Sequence, residues 1–261
     1  MMQRYAQECL LVVLIAVLLV SGVAAQEDSY AVPPDYPGVQ IFIPGIFVPP
    51  VPGAPFSGTV EILSRQTLPN GSIYTRWCRY LIARNSAGVI HNERRKLEKA
   101  GFQGEPPIQH VHIYNPQTHL NTILNPKTLI ARQTTLAELK APANSTLETA
   151  VIPHNTANPT SRDLGTETTA GLVLHGTRKQ WTVPAAVSGT SHDVTVTDDY
   201  WYSDDLKVYL VLKHNDPRTG EQMVGIVTLD RQEPDSSLFQ IPSAYKIVDE
   251  TPLRDPLHPA K

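Results

Sequence analysis

The fold is decided by residues 59–95, whose sequence is TVEILSRQTLPNGSIYTRWCRYLIARNSAGVIHNERR. Residues 69–71 are Pro-Asn-Gly, and Asn-Gly supplies the positive φ values that a tight hairpin turn needs. In the run that follows, even-numbered residues from 74 to 82 lie on one face of a strand and odd-numbered residues from 75 to 81 on the other. Residues 85–88, Asn-Ser-Ala-Gly, are the next turn signal. These runs predict an antiparallel meander of three strands.

The remainder of the chain predicts further strands joined by turns. Asn-Pro pairs at residues 115–116 and 125–126 separate short strands. The later strand-like runs are LGTETTAGLVLHGTRKQWTVP, HDVTVTDDYWYS, VYLVLKHND and EQMVGIVTLDRQ. We expect a mainly β, antiparallel fold with little helix and about nine to eleven strands.

Composition limits the class of protein and of partner. The chain has 261 residues, of which 41% are hydrophobic, and this is enough for one domain with a substantial core. The formal net charge is -3, and Lys and Arg are scattered rather than clustered. Nucleic acid is therefore not an expected partner.

The first 25 residues resemble an export signal. Arg4 lies in a short polar region, residues 9–20 are an unbroken apolar run, and residues 23–25, Val-Ala-Ala, fit a cleavage site before Gln26. An uncleaved membrane anchor is the alternative, but a membrane span needs about 20 apolar residues. Cleavage would leave Cys78 as the only cysteine, which excludes an intramolecular disulfide.

Residues 26–55 predict an apolar tether. The stretch carries eight prolines, which remove backbone donors and fix φ, so a regular helix or a central strand is excluded over most of it. Solvated linkers are usually polar. This tether is instead apolar, and the side chains that we expect to dock on the folded domain are Ile41, Phe42, Ile43, Ile46 and Phe47, with Val48 beside them.

Residues 198–216 concentrate carboxylates around His214. The acids are Asp198, Asp199, Asp204, Asp205 and Asp216. Paired carboxylates serve general acid–base catalysis, but burial or a like-charge neighbour must tune them. Acids in turns are solvated and form local hydrogen bonds, so we expect this group to orient turns rather than to catalyse a reaction.

Two histidines and one cysteine are the other candidates for chemistry. His110 and His112 would share one face of a strand and could bind zinc or copper, although no third ligand is near in sequence. The alternative is a pair of partly exposed strand histidines. Cys78 lies within a strand, where a free cysteine usually acts as a small buried hydrophobe. The sequence contains no nucleophile elbow, Gly-rich phosphate loop or paired-cysteine motif. We therefore expect neither enzymatic activity nor a cofactor.

Aromatic residues on the strands indicate either a binding surface or ordinary packing. The candidates for a hydrophobic groove or for packing are Trp77, Tyr80, Trp181, Trp201, Phe239 and Tyr245. Aromatic side chains are common in strands, so both interpretations stay open. A concave apolar sheet face is the functional surface that we expect.

Residues 56–249 resemble a large group of uncharacterised exported bacterial proteins. The resemblance is carried by the first hairpins and by the segments YWYSDDLKVYLVLKHNDPRTGE and PDSSLFQIPSAYKIV. That group is distantly similar to the periplasmic lipoprotein-carrier superfamily, which includes the LolA carrier and the RseB stress regulator. The resemblance implies an incomplete antiparallel barrel, or half barrel, whose concave apolar face receives acyl chains. It also implies a terminal segment packed against the sheet, with Leu238, Phe239, Ile241, Pro242 and Tyr245.

These observations divide the chain into a signal peptide (1–25), a tether (26–55), a lipoprotein-carrier-like β domain (56–249) and a C-terminal tail (250–261). We expect an exported, non-catalytic protein of the bacterial periplasm or cell envelope that binds a lipid or lipopeptide. A structural or regulatory module that binds another envelope protein is the alternative. A metal-dependent hydrolase is the weakest hypothesis. The oligomeric state is left open.

Overall fold

The computed structural model describes residues 45–68, 70–136 and 159–251. Several predictions from the sequence lie outside the described residues. They concern the signal peptide, its cleavage before Gln26, most of the tail, and the tether residues Ile41, Phe42 and Ile43. No helix within the described residues is long and apolar enough to cross a membrane.

The described residues form thirteen strands and two short helices. The strands are β1 (Phe56–Thr67), β2 (Ile73–Arg84), β3 (Ile90–Arg95), β4 (Glu98–Lys99), β5 (Ile108–Asn115), β6 (Leu120–Asn125), β7 (Ile130–Thr135), β8 (Thr160–Thr169), β9 (Leu172–Val183), β10 (Val194–Ser203), β11 (Val208–Asp216), β12 (Gly220–Asp230) and β13 (Lys246–Asp249). The helices are α1 (Ala185–Ser188) and a 3₁₀ turn (Ser236–Phe239).

The thirteen strands of the described residues belong to one open sheet, in the order β13-β7-β6-β5-β3-β2-β1-β12-β11-β10-β9-β8, with β4 beside β2. The pairings are antiparallel except between β13 and β7. The sheet is not closed into a barrel, so the predicted class, a mainly β antiparallel half barrel, is confirmed. The described residues contain more strands than the predicted nine to eleven because β4 and β13 are only two and four residues long. Elements this short show no periodicity in sequence.

The meander predicted around residues 69–71 is confirmed. β1 and β2 pair without interruption from Phe56 opposite Arg84 to Thr67 opposite Ile73. The even-numbered residues of both strands face the main hydrophobic core, and we call this surface the inner face of the sheet. The buried residues of the main core are Ile46, Val48, Phe56, Val60, Ile62, Cys78, Tyr80, Ile82, Ile90, Leu172, Leu174, Tyr200, Leu206, Val208, Leu210, Leu212, Val224 and Ile226.

The strands from β5 to β7 bury their opposite, outer face. A second cluster there contains Val89, Val111, Ile113, Leu124 and Ala131, and the terminal residues Phe239, Ile241 and Tyr245 pack against it. His110 and His112 alternate with Val111 and Ile113, so they lie on the inner face. The inner face is therefore apolar around β1 and more polar around β5.

The sheet bends toward its inner face. Nη2 of Arg84, at the end of β2, donates to the carbonyl oxygen of Leu206 over 2.5 Å. Leu206 lies in the turn between β10 and β11, and β11 is three strand positions from β2. In a flat sheet these positions are about 14 Å apart, more than an arginine side chain spans. The sheet and the β10–β11 turn must therefore curve to bring the two residues together.

Candidate functional site on the inner face

Residues 45–55, at the end of the tether, cover part of the inner face; we call them the cover segment. Ile46 and Val48 are fully buried in the main core, whereas Phe47 between them is 52% exposed. This alternation is typical of an extended chain lying along an apolar surface. The cover segment thus occupies space on the inner face that would otherwise be open.

Hydrogen bonds from the sheet hold the cover segment. The backbone N–H of Ile46 donates to Oη of Tyr80 over 2.9 Å, and Nδ2 of Asn92 donates to the carbonyl oxygen of Ile46 over 3.1 Å. The N–H of Gly53 donates to the carbonyl oxygen of Ser86 over 2.9 Å. Prolines have no N–H, so a proline-rich chain has few donors of its own. Its carbonyl oxygens therefore accept hydrogen bonds from neighbouring parts of the protein.

Arg84 supplies most of those donors. Its guanidinium donates to the carbonyl oxygens of Pro49 over 2.9 Å and of Ala54 over 2.9 and 2.7 Å. The guanidinium carbon lies 5.1 Å from the centre of the Phe56 ring. The side chain is fully buried, and this burial lowers the pKa of Arg84 to about 10, so it stays charged at neutral pH. Its acceptors in these contacts are all backbone carbonyls, which makes it a clamp on the cover segment.

Sequence reasoning missed Arg84. The even-numbered face of β2 ends at this position, so the register alone places Arg84 on the buried face. An arginine at a strand end is usually solvated, because charged side chains are rarely fully buried. The residue type therefore gave no reason to expect burial.

The cover segment begins with a close approach at Gly45. Its φ is 121°, a conformation that favours glycine, and a Cβ atom there would collide with Oη of Tyr80 and Nη1 of Arg94. Only glycine lets the backbone pass at this distance.

A cleft of about 460 Å³ opens next to the cover segment. It lies where β3 separates from β2: β3 pairs with β2 only at residues 82–84, and β4 pairs with β2 only at residues 76–77. Between these pairings the N–H of Leu81 donates to the carboxylate of Glu93 instead, over 3.2 Å. The gap in backbone pairing exposes inner-face side chains of β2 to the cleft.

The cleft combines apolar and cationic side chains. Its lining residues are Ile62, Arg76, Cys78, Tyr80, Arg94, Arg95, Lys96, Leu97, Gln109 and His110. Arg94 lies over the ring of Tyr80, 5.6 Å from its centre. Arg95 contacts Glu93 and Glu105, and Lys96 forms a 2.9 Å ion pair with Glu98. The arrangement can hold an anion beside an apolar group.

Cys78 is placed at the cleft but is not prepared for nucleophilic chemistry. Burial raises the pKa of the thiol to about 11; Glu61 acts in the same direction, and Arg94 and Arg95 oppose it. The thiolate is the nucleophilic form of cysteine, so a thiol that stays protonated at neutral pH is inert.

The two histidines on β5 do not form a metal site with other described residues. His110 faces the cleft, and Nε2 of His112 lies 2.5 Å from Oδ1 of Asn121. Burial lowers the pKa of both imidazoles, and the positive charge of Arg94 adds to the effect. Within the described residues no group of three or more His, Cys, Asp or Glu side chains is placed to hold a metal ion.

The expectation that the acids of residues 198–216 are solvated is wrong for Asp198 and Asp216, which are buried, and for Asp199, whose side chain is 13% exposed and binds Arg178. Asp198 and His214 are 2% and 3% exposed, and Nδ1 of His214 donates to Oδ1 of Asp198 over 2.6 Å. Asp216 is 1% exposed and binds Arg218. Burial alone would raise the pKa of Asp216, but the hydrogen bonds and charge of Arg218 hold it below its usual value. Asp204 and Asp205 are exposed, as expected.

The physical reason for this error is strand register. Asp198 lies within β10 rather than in a turn, and it shares the buried face with Val196 and Tyr200. Nε2 of His214 is buried and has no hydrogen-bond partner among the described residues. The pair therefore forms a polar patch on the inner face of β10 and β11.

The structure distributes the predicted aromatic candidates over several surfaces. Tyr80 lies in the main core and lines the cleft. Trp201 packs against the main core, and Trp181 belongs to a third cluster with Val183, Val194 and Val196. Trp77 alternates with Cys78 on the outer face beside Arg79, while Phe239 and Tyr245 pack on the outer face of β5 to β7.

We expect the free energy of unfolding to decrease as pH rises from 9 to 10. Unfolded Cys78 ionises near 9.0, whereas in the folded protein the pKa of its thiol is about 11, so its stabilising contribution is complete below pH 9 and is lost as pH rises. Two further groups begin to titrate in this interval. Arg84, whose pKa is about 10 in the folded protein, starts to lose its proton, which favours the folded state, whereas Tyr80, whose pKa is raised from 10.0 to about 12, starts to ionise in the unfolded state only, which favours unfolding. These two effects oppose each other, so the decrease follows Cys78. Urea unfolding followed by tryptophan fluorescence measures the change. In the Cys78→Ala variant this decrease should be smaller; identical slopes in both proteins would contradict the assignment.

Comparison with protein-family models and with curated proteins gave no match. Among solved structures, an uncharacterized conserved protein from Thermus thermophilus is 8% identical, with a TM-score of 0.37 over 76% of this chain and 91% of that one. MucB in complex with MucA(peri) is 12% identical, with a TM-score of 0.37 over 75% of this chain and 57% of that one. A LolA superfamily protein from Nitrosomonas europaea is 10% identical, with a TM-score of 0.28 over 73% and 91%.

The chain is thus distantly similar in structure to the LolA superfamily and to MucB, and the similarity that its sequence indicates is confirmed. These TM-scores are low, so the function proposed below rests on the residues of this chain.

Proposed function

We propose that this protein is a non-catalytic, exported protein of the bacterial cell envelope that binds a lipid or lipopeptide on the inner face of its open sheet. The observation that carries the proposal is that a segment outside the sheet covers that face. Ile46 and Val48 are fully buried but belong to a proline-rich segment outside the sheet, and the cleft opens beside them onto Ile62 and Cys78.

The physical mechanism is the exchange of one apolar occupant for another. An alkyl chain that takes the place of Ile46 and Val48 buries a similar apolar area. Each Å² of apolar surface removed from water stabilises the complex by about 25 cal/mol. The inner face is covered both before and after the exchange. The free energy of binding therefore includes only a small cost for exposing that face. No covalent step is required.

Loosening the cover segment should open the inner face to a hydrophobic dye. In Gly45→Ala the new Cβ collides with Tyr80 and Arg94, so we expect higher dye fluorescence than in the wild type. The matched control is Gly53→Ala, in the same segment: Gly53 also has positive φ, 78°, but its Cβ would have no neighbour within 4 Å. Equal dye binding in the two variants would contradict the proposed role of the cover segment.

Native mass spectrometry of protein purified gently from its own envelope tests the function itself. We expect a co-purifying amphiphile, and we expect an alkyl probe to compete with it. A protein that carries no amphiphile and binds no alkyl probe would exclude lipid binding.

A protein-binding module is the second candidate, and β8 favours it. This strand is ten residues long and mostly exposed, and among the described strands it pairs only with β9. An unpaired strand edge can accept a strand from a partner. A co-purifying protein in place of a lipid would support this candidate.

A further inference from the structure

We propose that the cleft between β2 and β3 binds the anionic headgroup, carboxylate or phosphate, of a single-chain amphiphile whose alkyl chain lies along the inner face. This inference rests on the proposed lipid-binding function and names the chemical class of its ligand. Charge, position and shape of the cleft each contribute to it.

The charge of the cleft selects an anion. Arg76, Arg94, Arg95 and Lys96 all line it, together with His110, and none of its described lining residues is Asp or Glu. The carboxylates that pair with Arg95 and Lys96 come from outside this lining. Arginine forms two parallel hydrogen bonds with a carboxylate or phosphate, and such charge-assisted bonds are stronger than neutral ones.

The position of the cationic groups separates a head from a tail. On β2, Arg76, Cys78 and Tyr80 follow one another on the inner face, so the strand leads from a charged end to the apolar core. Ile62 is opposite Cys78 on β1 and continues the apolar surface. A ligand with its anion at Arg76 and Arg94 would direct its chain toward the cover segment.

Tyr80 joins the cleft to the cover segment. Its hydroxyl accepts the hydrogen bond of Ile46 and lies 3.4 Å from Nη1 of Arg94. A headgroup that binds Arg94 therefore acts next to the bond that fixes Ile46. The volume of about 460 Å³ is in the range of small-molecule pockets and suits one headgroup with the start of one chain.

Titration calorimetry with four probes tests the ligand class. The probes are dodecanoate, dodecyl phosphate, dodecanol and inorganic phosphate. The three amphiphiles are used below the concentrations at which they aggregate. We expect the two anionic amphiphiles to bind about tenfold more tightly than dodecanol, as one charge-assisted contact permits. Inorganic phosphate should bind much more weakly than dodecyl phosphate, because it buries no apolar surface.

The double variant Arg76→Gln/Arg94→Gln should lose this preference and still bind dodecanol. The matched control is Arg79→Gln, because Arg79 lies on the same strand but on the outer face, paired with Glu61. We expect Arg79→Gln to keep the preference. Circular dichroism checks that each variant is folded.

An NMR titration of His110 in the wild type gives a second readout without mutation. Burial lowers the pKa of His110, and the charges of Arg94 and His112 lower it further. A bound anion should raise this pKa by offsetting the charge of Arg94, whereas dodecanol should not.

The outcomes separate the two proposals. Equal affinity for dodecanoate and dodecanol would overturn the headgroup assignment and leave lipid binding intact. Absence of binding to every amphiphile would overturn both. Binding of inorganic phosphate as tight as that of dodecyl phosphate would show an anion site unrelated to lipids and overturn the assignment.

Discussion

Replacing Arg84 with methionine is expected to lower the free energy of unfolding by about 3 to 5 kcal/mol, since each buried polar group left without a partner costs about 1 to 3 kcal/mol. Methionine keeps much of the side-chain length but removes every donor. The carbonyl oxygens of Ala54 and Leu206 then lose the bonds that Arg84 makes to them, and that of Pro49 keeps only the bond from the N–H of Val51. Urea unfolding followed by tryptophan fluorescence measures the loss.

Arg84→Met should also release the cover segment, because two of the three lost acceptors belong to residues 45–55. We therefore expect dye binding to increase, as in Gly45→Ala. Arg84→Lys should fall between the wild type and the methionine variant, since an ammonium keeps the charge but cannot reach several carbonyls in one plane.

Arg79→Met is the control for this experiment. Arg79 is on the same strand, its side chain is 53% exposed, and it forms a surface ion pair with Glu61. Surface ion pairs contribute about 0 to 1 kcal/mol. A loss in Arg84→Met no larger than in Arg79→Met would show that the clamp does not stabilise the protein.

Replacing Asp198 with alanine is expected to destabilise the protein by about 3 kcal/mol, the lower end of the range for breaking a buried pair. The change removes the acceptor of His214 Nδ1, and Nε2 of that ring has no partner in the part of the chain that the structure describes. A buried imidazole would then keep both nitrogens without a hydrogen bond.

Asp204→Ala is the matched control for Asp198→Ala, because Asp204 lies six positions further along the same acidic stretch and its side chain is 61% exposed. We expect a change within about 0.5 kcal/mol, as for most surface substitutions. Thermal and urea unfolding of both variants give the comparison. Similar stabilities would mean that the Asp198–His214 contact is not a stabilising pair.

Side-chain alternation predicted the strands well but predicted the burial of their polar residues poorly. The β1–β2 hairpin follows from Asn-Gly and from a strict period of two, which are local properties. Asp198 and Arg84 obey the same period, yet their residue types indicated solvent. Whether a polar residue on a strand is buried depends on which strands curve over it, and that is a long-range property.

The cleft was also not predictable from the sequence. Arg76 and Arg94 are 18 positions apart in sequence. The cleft between them exists because β3 separates from β2 after Asn92, which is opposite Ile82. No turn signal or periodicity marks this gap, since backbone pairing is a relation between two segments.

The sequence by itself determined the class of fold, the order of its hairpins and the apolar character of the tether, because turn propensity and side-chain alternation act over a few residues. Only the tertiary structure decided that Ile46 and Val48 enter the core, that Arg84 is buried with backbone acceptors, and that cationic and apolar residues meet in one cleft. These features depend on the curvature and pairing of strands distant in sequence, and they arise only when the whole sheet buries its inner face.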